Sequence, residues 1–303
     1  MSKRRGIVLA GGTGSRLFPL THSVSKQLLP VYDKPMIFYP ISLLIEAGVE
    51  EIAIITSPPQ RDMFEQCLGD GRSFGVKFEY IIQPSPDGLA QAYLLAEAFL
   101  DGAPSALALG DNLFCGEALV SQISEAAAQP AECTVFGYPV LDPQNYGVAT
   151  FDANGRAVSI EEKPHKPRSD FAVTGLYLLD GDAPLRARNI RPSPRGELEI
   201  TDLLQSYLDD GKLNVTRLSA GRWFDTGAPL NLLDAGNYVR NQLIQRRLVI
   251  GSPELSAFRR GLISCDQMLR RAATMHATDY GRMLRDAAIA GSQAPDNAHL
   301  SIA

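Results

Sequence analysis

The chain opens with a short unbroken apolar run, Ile7-Val-Leu-Ala10, that stops at Gly11-Gly12. A run without alternation suits a strand covered on both faces. Similar runs recur at residues 51–56, 76–82 and 106–109, which gives four expected strands with the first at 6–10. Between them the period changes to that of a helix, over residues 36–47 closed by Gly48 and over residues 89–100. Strands alternating with helices predict an α/β fold on a parallel or mixed sheet.

Farther along, strand-like runs at 133–139, 147–151, 157–161, 173–179 and 213–218 are separated by loops rather than long helices. That is the expected place for an inserted substrate-binding region. Apolar positions Leu230, Leu233, Tyr238, Leu243 and Ile244 predict a helix over 228–247, and Ser252-Pro253-Glu254 reads as the start of another. The expected organisation is a core with its insertion over 1–227 and a helical region over 228–288 that packs on the core or at a subunit interface. Residues 289–303 lack periodicity and are expected to be disordered.

Composition changes this picture little. The 303 residues are 45% hydrophobic and 21% charged, as in a globular chain. A net charge of −5 argues against a general nucleic-acid surface, so any important cations must be local. Cys67, Cys115, Cys133 and Cys265 form no Cys-x-x-Cys pair, and neither a zinc site nor a disulfide framework is indicated. The apolar run after Met1-Ser-Lys-Arg-Arg ends too soon for a signal peptide and no stretch is long enough to cross a membrane, so a cytoplasmic protein is expected.

Chemistry concentrates where the strands end. Gly11-Gly12-Thr13-Gly14 follows the first strand and is closed by Ser15-Arg16, a loop whose backbone N–H groups can approach phosphate. Ser15-Arg16 stands where a Walker loop needs Lys-Ser/Thr, and Leu17 where a dinucleotide fingerprint needs Gly or Ala. Ten residues on, Lys26 adds a second cation. Asp111 follows the fourth strand and Asp225 follows a strand-like stretch; two such carboxylates meeting at a phosphate loop would suit Mg²⁺. Lys163 and Arg195 offer a second cationic pocket, with Glu162 an acceptor for sugar hydroxyls. Each motif alone also has a plainer reading, as a tight turn, a turn-closing aspartate or a solvated charge cluster. The four histidines show no metal spacing and no nucleophile triad.

Longer motifs carry a resemblance. Leu9-Ala-Gly-Gly-x-Gly-x-Arg-Leu, Ser25-Lys-Gln-Leu-Leu-Pro-Val-Tyr-Asp-Lys-Pro-Met, Gln83-Pro-Ser-Pro-Asp-Gly-Leu-Ala-Gln-Ala, Leu109-Gly-Asp-Asn, Asn145-Tyr-Gly-Val, Ser159-Ile-Glu-Glu-Lys-Pro, Val173-Thr-Gly-Leu-Tyr, Arg195-Gly-Glu-Leu-Glu-Ile-Thr-Asp and Trp223-x-Asp-Thr-Gly occur in order. Over about residues 3–285 the chain resembles the glucose-1-phosphate thymidylyltransferases, or dTDP-glucose pyrophosphorylases, of the sugar nucleotidyltransferase family. It departs in the order Gly12-Thr-Gly-Ser15, in Asp170 and Phe224, and in a loosely similar stretch after Arg247.

The resemblance implies a Rossmann-like nucleotidyltransferase core with a mixed central sheet, an inserted sugar-binding region and a C-terminal helical appendage. It implies transfer of a thymidylyl group from dTTP to α-D-glucose 1-phosphate, the first step of dTDP-L-rhamnose synthesis. Leu9, Gly11, Gly12, Thr13, Gly14, Ser15, Arg16, Lys26, Gln27, Gln83, Pro86, Gly88 and Asp111 would then hold the nucleotide, with Gln83 and Gly88 facing thymine. Asn112, Tyr146, Gly147, Glu162, Lys163, Val173, Tyr177 and Arg195 would hold the sugar phosphate, and Asp111 and Asp225 the Mg²⁺. Arg16, Lys26, Asp111, Lys163, Arg195 and Asp225 would carry the catalysis. A homotetramer with feedback inhibition by dTDP-rhamnose is also implied. A uridylyltransferase would share these features and differ in base and sugar selection; a catalytically silent binding subunit could have lost the charged residues that are all present.

Overall fold

The computed structural model describes residues 3–129 and 132–293. In chain order the strands are β1 (Arg5–Leu9), β2 (Pro30–Val31), β3 (Lys34–Pro35), β4 (Glu51–Thr56), β5 (Lys77–Ile82), β6 (Ser105–Leu109), β7 (Asn112–Cys115), β8 (Cys133–Pro139), β9 (Gly147–Phe151), β10 (Ala157–Glu162), β11 (Phe171–Leu179), β12 (Leu213–Arg217) and β13 (Arg222–Asp225). The helices are α1 (Phe38–Glu46), α2 (Arg61–Leu68), α3 (Gln91–Leu95), α4 (Glu97–Leu100), α5 (Glu117–Ala127), α6 (Ala183–Arg188), α7 (Ile200–Asp209), α8 (Pro229–Arg246), α9 (Pro253–Arg259), α10 (Cys265–Ala273) and α11 (Asp279–Gln293).

The central sheet runs β10-β9-β11-β6-β1-β4-β5, with β8 also paired to β11 and β12 to β8. Strands β6, β1, β4 and β5 are mutually parallel, and β11 enters antiparallel to β6. Along β11 the register shifts between Val173 and Tyr177, so its end pairs with β6 while its beginning reaches β9. The insertion is thus a lateral extension of the same sheet. This is the mixed α/β core expected from the sequence.

Alternation along β1 shows why its run is wholly apolar. Ile7 and Leu9 pack into one cluster with α3, α4, α6 and α7, while Val8 packs on the other face with α1, α2, α5 and the C-terminal helices. Helix α1 is buried from Phe38 through Ile45 because it lies between the sheet and α9, where the Ser42 and Ser256 hydroxyls meet at 2.7 Å.

Two expectations need correction. The helix expected over 89–100 begins at Gln91 and is divided into α3 and α4 at Ala96; just before it Ala90 N–H donates to Leu198 O at 3.1 Å. The last helix continues to Gln293, so the expected irregular tail is helical over its first five residues, where Ala288 is fully buried beside Leu284 and anchors the preceding turn. The rest of that tail lies outside the described residues.

Candidate active site

The glycine loop leaves the sheet where Ala10 N–H donates to Ile55 O at 2.7 Å. Gly14 sits at φ 62°, a left-handed conformation that opens a single 3-10 turn over Ser15–Leu17. Thr21 donates its hydroxyl to Gly14 O at 2.8 Å, and a Cβ at Gly14 would crowd Thr21 and Lys26 at 3.0–3.3 Å. The turn therefore folds back against the segment that carries Lys26. Lys26 Nζ reaches Asp111 Oδ2 at 2.5 Å, joining the loop to the end of β6.

The two aspartates meet through a two-stranded ribbon. After Asp111 the chain forms β7, which pairs antiparallel with β13 and sets Asn112 opposite Asp225. Thr226 closes the corner by donating N–H and hydroxyl to Asp111 O at 3.0 and 2.7 Å. Trp223 Nε1 donates to Asn112 Oδ1 at 2.7 Å, Gly175 N–H donates to the same oxygen at 3.1 Å, and Asn112 Nδ2 donates to Asp111 Oδ1 at 3.1 Å. Asn112, buried, thus holds the ribbon and Asp111, and its Nδ2 keeps a second hydrogen to donate. Among the described residues no cluster of three metal-ligating side chains exists.

Their electrostatics differ. Burial pushes the Asp111 carboxyl up, but the Lys26 ammonium and the Asn112 amide outweigh it and leave it below the usual carboxylate range. Burial and then the Asp111 charge push Asp225 up, against the pull of Gly227 N–H, Arg16 and Lys26. Gly227 N–H donates to Asp225 Oδ1 at 3.0 Å, and a Cβ on Gly227 would collide with the Arg16 guanidinium. Arg16 therefore stands at the Asp225 corner. The Tyr146 hydroxyl, pushed up to about 12 by burial and by the charge of Asp225, belongs to the same corner.

Beside this centre lies a cleft of about 230 Å³ lined by Leu9, Gly11, Gly12, Lys26, Gln27, Gln83, Pro86, Gly88, Leu89, Leu109, Asp111 and Glu197. Thr13, Gly14, Ser15 and Arg16 are not in that lining; they continue the loop at its edge. The buried Gln27 side chain accepts the Ser25 hydroxyl at 2.7 Å and packs on Gly110, where a Cβ would fall 2.8 Å from Gln27 Cγ. Gly11 lets the Gln83 amide oxygen rest directly on its backbone. Gly88, at φ 107°, lies against the backbone of Leu198, and Leu198 N–H donates to Asp87 O at 2.7 Å. The loop facing the expected base is thereby clipped to the segment carrying Arg195.

On the far side, Glu162 Oε2 accepts from Thr201 at 3.3 Å and its Oε1 lies 3.2 Å from Arg195 and 3.4 Å from Lys163. Gly147 fits because a Cβ there would lie 2.8 Å from Thr201 Cγ2, next to Glu162 and Val173. Arg195 also pairs with Glu199 at 2.8 Å, and among the described residues none accepts from its Nη1. Tyr177 is buried, its hydroxyl pushed up by burial and by the Glu162 charge. Tyr146 packs edge-on against Trp223 at 5.5 Å, which ties this wall to the aspartate ribbon. The sequence alone does not assign Gln91, Leu109, Glu197, Glu199 or Thr201 to the site. All lie within the quoted motifs or beside them, but their roles depend on contacts between distant loops.

Comparison with known proteins places this geometry in a family. The nucleotidyl transferase family model matches residues 5–242. The glucose-1-phosphate thymidylyltransferase of Xanthomonas campestris pv. campestris is 51% identical over 285 residues, covering 94% of this chain and 97% of that protein. A crystal structure of a Bacillus anthracis protein assigned as a glucose-1-phosphate thymidylyltransferase is 38% identical with a TM-score of 0.73, covering 78% of this chain and 96% of that one. UDP-glucose pyrophosphorylase complexed with UDP-glucose is 25% identical with a TM-score of 0.71, covering 80% and 100% respectively. The chain therefore belongs to the nucleotidyl transferases and, within them, to the glucose-1-phosphate thymidylyltransferases.

Proposed function

We propose that the protein joins dTTP and α-D-glucose 1-phosphate to give dTDP-glucose and pyrophosphate by one in-line displacement, the opening step towards dTDP-L-rhamnose. The observation that carries this reading is the convergence of Asp111, Asp225, Lys26 and Arg16 at the mouth of the glycine loop. In this reading the loop from Gly11 to Gly14, with Arg16 and Lys26, holds the triphosphate. Gln83 and Gly88 face thymine. Gly147, Glu162, Val173, Tyr146 and Tyr177 shape the sugar pocket, and Lys163 with Arg195 Nη1 holds the sugar phosphate.

Enzymes of this family use a divalent metal, and the residues here fit Mg²⁺. It takes one or two carboxylates and completes its shell with substrate phosphates and water. Asp111 and Asp225 are such a pair, and the upward push that Asp111 exerts on Asp225 marks anionic charge that Lys26 and Arg16 leave incompletely balanced. When bound there, Mg²⁺ would neutralise phosphate charge and orient the α-phosphate. The remaining work falls to the side chains. A sugar phosphate is already largely a dianion at neutral pH, since the second pKa of phosphomonoesters is about 6, so its oxygen needs no general base. That oxygen forms a bond to the α-phosphorus as the bond to the β-phosphate oxygen breaks, and pyrophosphate leaves with the electron pair. Lys26 and Arg16 lower the cost of bringing two polyanions together, while Lys163 and Arg195 align the attacking phosphate.

Pyrophosphate release with dTTP or UTP, each with glucose 1-phosphate, tests the reading. Uracil lacks only the methyl group, so UTP should be poorer by about 10–200-fold rather than inert. Equal use of purine triphosphates, or no release with dTTP, contradicts it. The same reading carries a cytoplasmic homotetramer inhibited by dTDP-rhamnose, for which Leu230, Leu233 and Ile244 leave exposed apolar surface on α8. Light scattering that finds a monomer, or kinetics indifferent to dTDP-rhamnose, would count against the corresponding part.

A further inference from the structure

Asp87 is an obligate acceptor when ionised, so whatever faces its carboxylate must donate. Gln91 meets it with Nε2, 2.8 Å from Asp87 Oδ2, and the Ser85 hydroxyl donates to the same oxygen at 2.6 Å. That choice fixes the other end of the Gln91 amide. Its Oε1 turns back to accept Asp87 N–H at 3.3 Å and Gln83 Nε2 at 2.7 Å. Gln83 in turn has only one way to lie: its nitrogen towards Gln91 and its oxygen on Gly11, in the wall of the cleft. Turning the Gln83 amide over would set oxygen against oxygen at Gln91. Turning Gln91 over as well would set its oxygen against the Asp87 carboxylate.

We propose that Asp87 and Gln91 are positioning residues for base selection, a polarity relay that locks the Gln83 amide with its oxygen presented to the nucleobase. The cleft then accepts a pyrimidine whose N3 carries a proton and rejects one whose N3 carries a lone pair. Thymine and uracil are of the first kind and cytosine is of the second. The proposal rests on reading this cleft as the dTTP site. It adds a cause for the choice: Gln83 is able in principle to donate or accept, and its neighbours remove that freedom.

The test is the ratio of kcat/KM for dTTP to that for dCTP, each with glucose 1-phosphate, in the full-length enzyme and in Gln91→Leu, Gln91→Glu and Asp87→Ala. Sites that pair a substrate's polar edge reject the wrong edge strongly, so the parent ratio should be at least about 10³. Gln91→Leu frees the Gln83 amide, and the ratio should fall at least ~10-fold, with dCTP gaining as dTTP loses. Gln91→Glu can only accept, so it keeps Gln83 oriented and holds the ratio within ~3-fold of the parent, even where repulsion from Asp87 lowers kcat. Asp87→Ala removes the acceptor at an exposed position and decides the matter should Gln91→Leu fail to fold; its ratio should fall by ~3-fold or more. An unchanged ratio in Asp87→Ala or in folded Gln91→Leu overturns the relay, and so does an equal fall in Gln91→Leu and Gln91→Glu, which a mere packing role would give. A parent enzyme that uses dCTP as well as dTTP overturns the nucleotide reading along with it.

Discussion

Lys26 Nζ lies 2.5 Å from Asp111 Oδ2, so before any ligand arrives the loop cation and the strand-end carboxylate satisfy each other. In the proposed function a triphosphate would compete for the cation and a divalent metal for the carboxylate, so the two should exchange partners as substrate binds.

Lys26→Ala should lower turnover by about 10²–10⁴, the range for loss of a charge that stabilises a transition state. Its effect on stability should depend on pH. The Lys26-held Asp111 has a lowered folded pKa, so its stabilising contribution is complete above the ordinary carboxylate range and is lost as pH falls through the folded value. Melting curves should therefore separate the variant from the parent at pH 7 and converge in acid. A folded Lys26→Ala enzyme with near-normal turnover removes Lys26 from the chemistry.

Asp225 should show the opposite sign. Its folded pKa is raised, so ionisation costs stability as pH rises from the ordinary carboxylate value through the folded one. Asp225→Asn keeps an acceptor for Gly227 N–H and removes that cost. At pH 7, without divalent metal, it should melt about 1–3 °C above the parent, and the gain should vanish below pH ~4. Activity should be severely reduced in the same variant. A variant that is destabilised at pH 7 and unaltered in acid contradicts the charge repulsion.

Direct displacement fixes the stereochemistry. Among the described residues the site gathers cations and carboxylates but no histidine, and no nucleophile with a supporting base. With an α-phosphorothioate analogue of dTTP, product configuration at phosphorus should be inverted. Net retention, or a covalent nucleotidyl-enzyme that goes on to product, requires a two-step route.

Helices α9, α10 and α11 are tied to one another by Glu254, which is fully buried and accepts from Tyr280 OH at 2.6 Å and Arg271 Nε at 3.0 Å. Tyr280→Phe keeps the ring under the Lys34 ammonium, 5.4 Å away, but strips a charge-assisted bond from the buried carboxylate. The cost should be roughly 1.5–3 kcal/mol in denaturant unfolding, with the glycine-loop chemistry retained. A change below ~0.5 kcal/mol would show that water replaces the hydroxyl.

How much of this was legible in the sequence followed the range of each interaction. The strand Arg5–Leu9 and the turn at Gly14 are local, and their apolar run and glycines announce them. Asp111 and Asp225 each stand out at a strand end, but their meeting depends on the pairing of β7 with β13. Strand β7 is only four residues long, too short for its apolar run to stand out. Asn112 stands out beside Asp111, but that its oxygen also holds Trp223 and Gly175 depends on contacts between distant segments. Gln91 gives no signal of its own because its meaning lies in the direction of hydrogen bonds to Gln83 and Asp87. The last turn of α11 is missed because its sequence is weakly patterned.

The central claim is that Asp111 and Asp225 form one cation site for thymidylyl transfer. Pyrophosphate release from dTTP and glucose 1-phosphate, measured across a Mg²⁺ titration in the parent, Asp111→Asn and Asp225→Asn, tests it most directly. Both variants should lose most of their turnover and need markedly more Mg²⁺ to reach half their own maximum, with the fold intact. Two well-folded variants whose Mg²⁺ dependence matches the parent would contradict it.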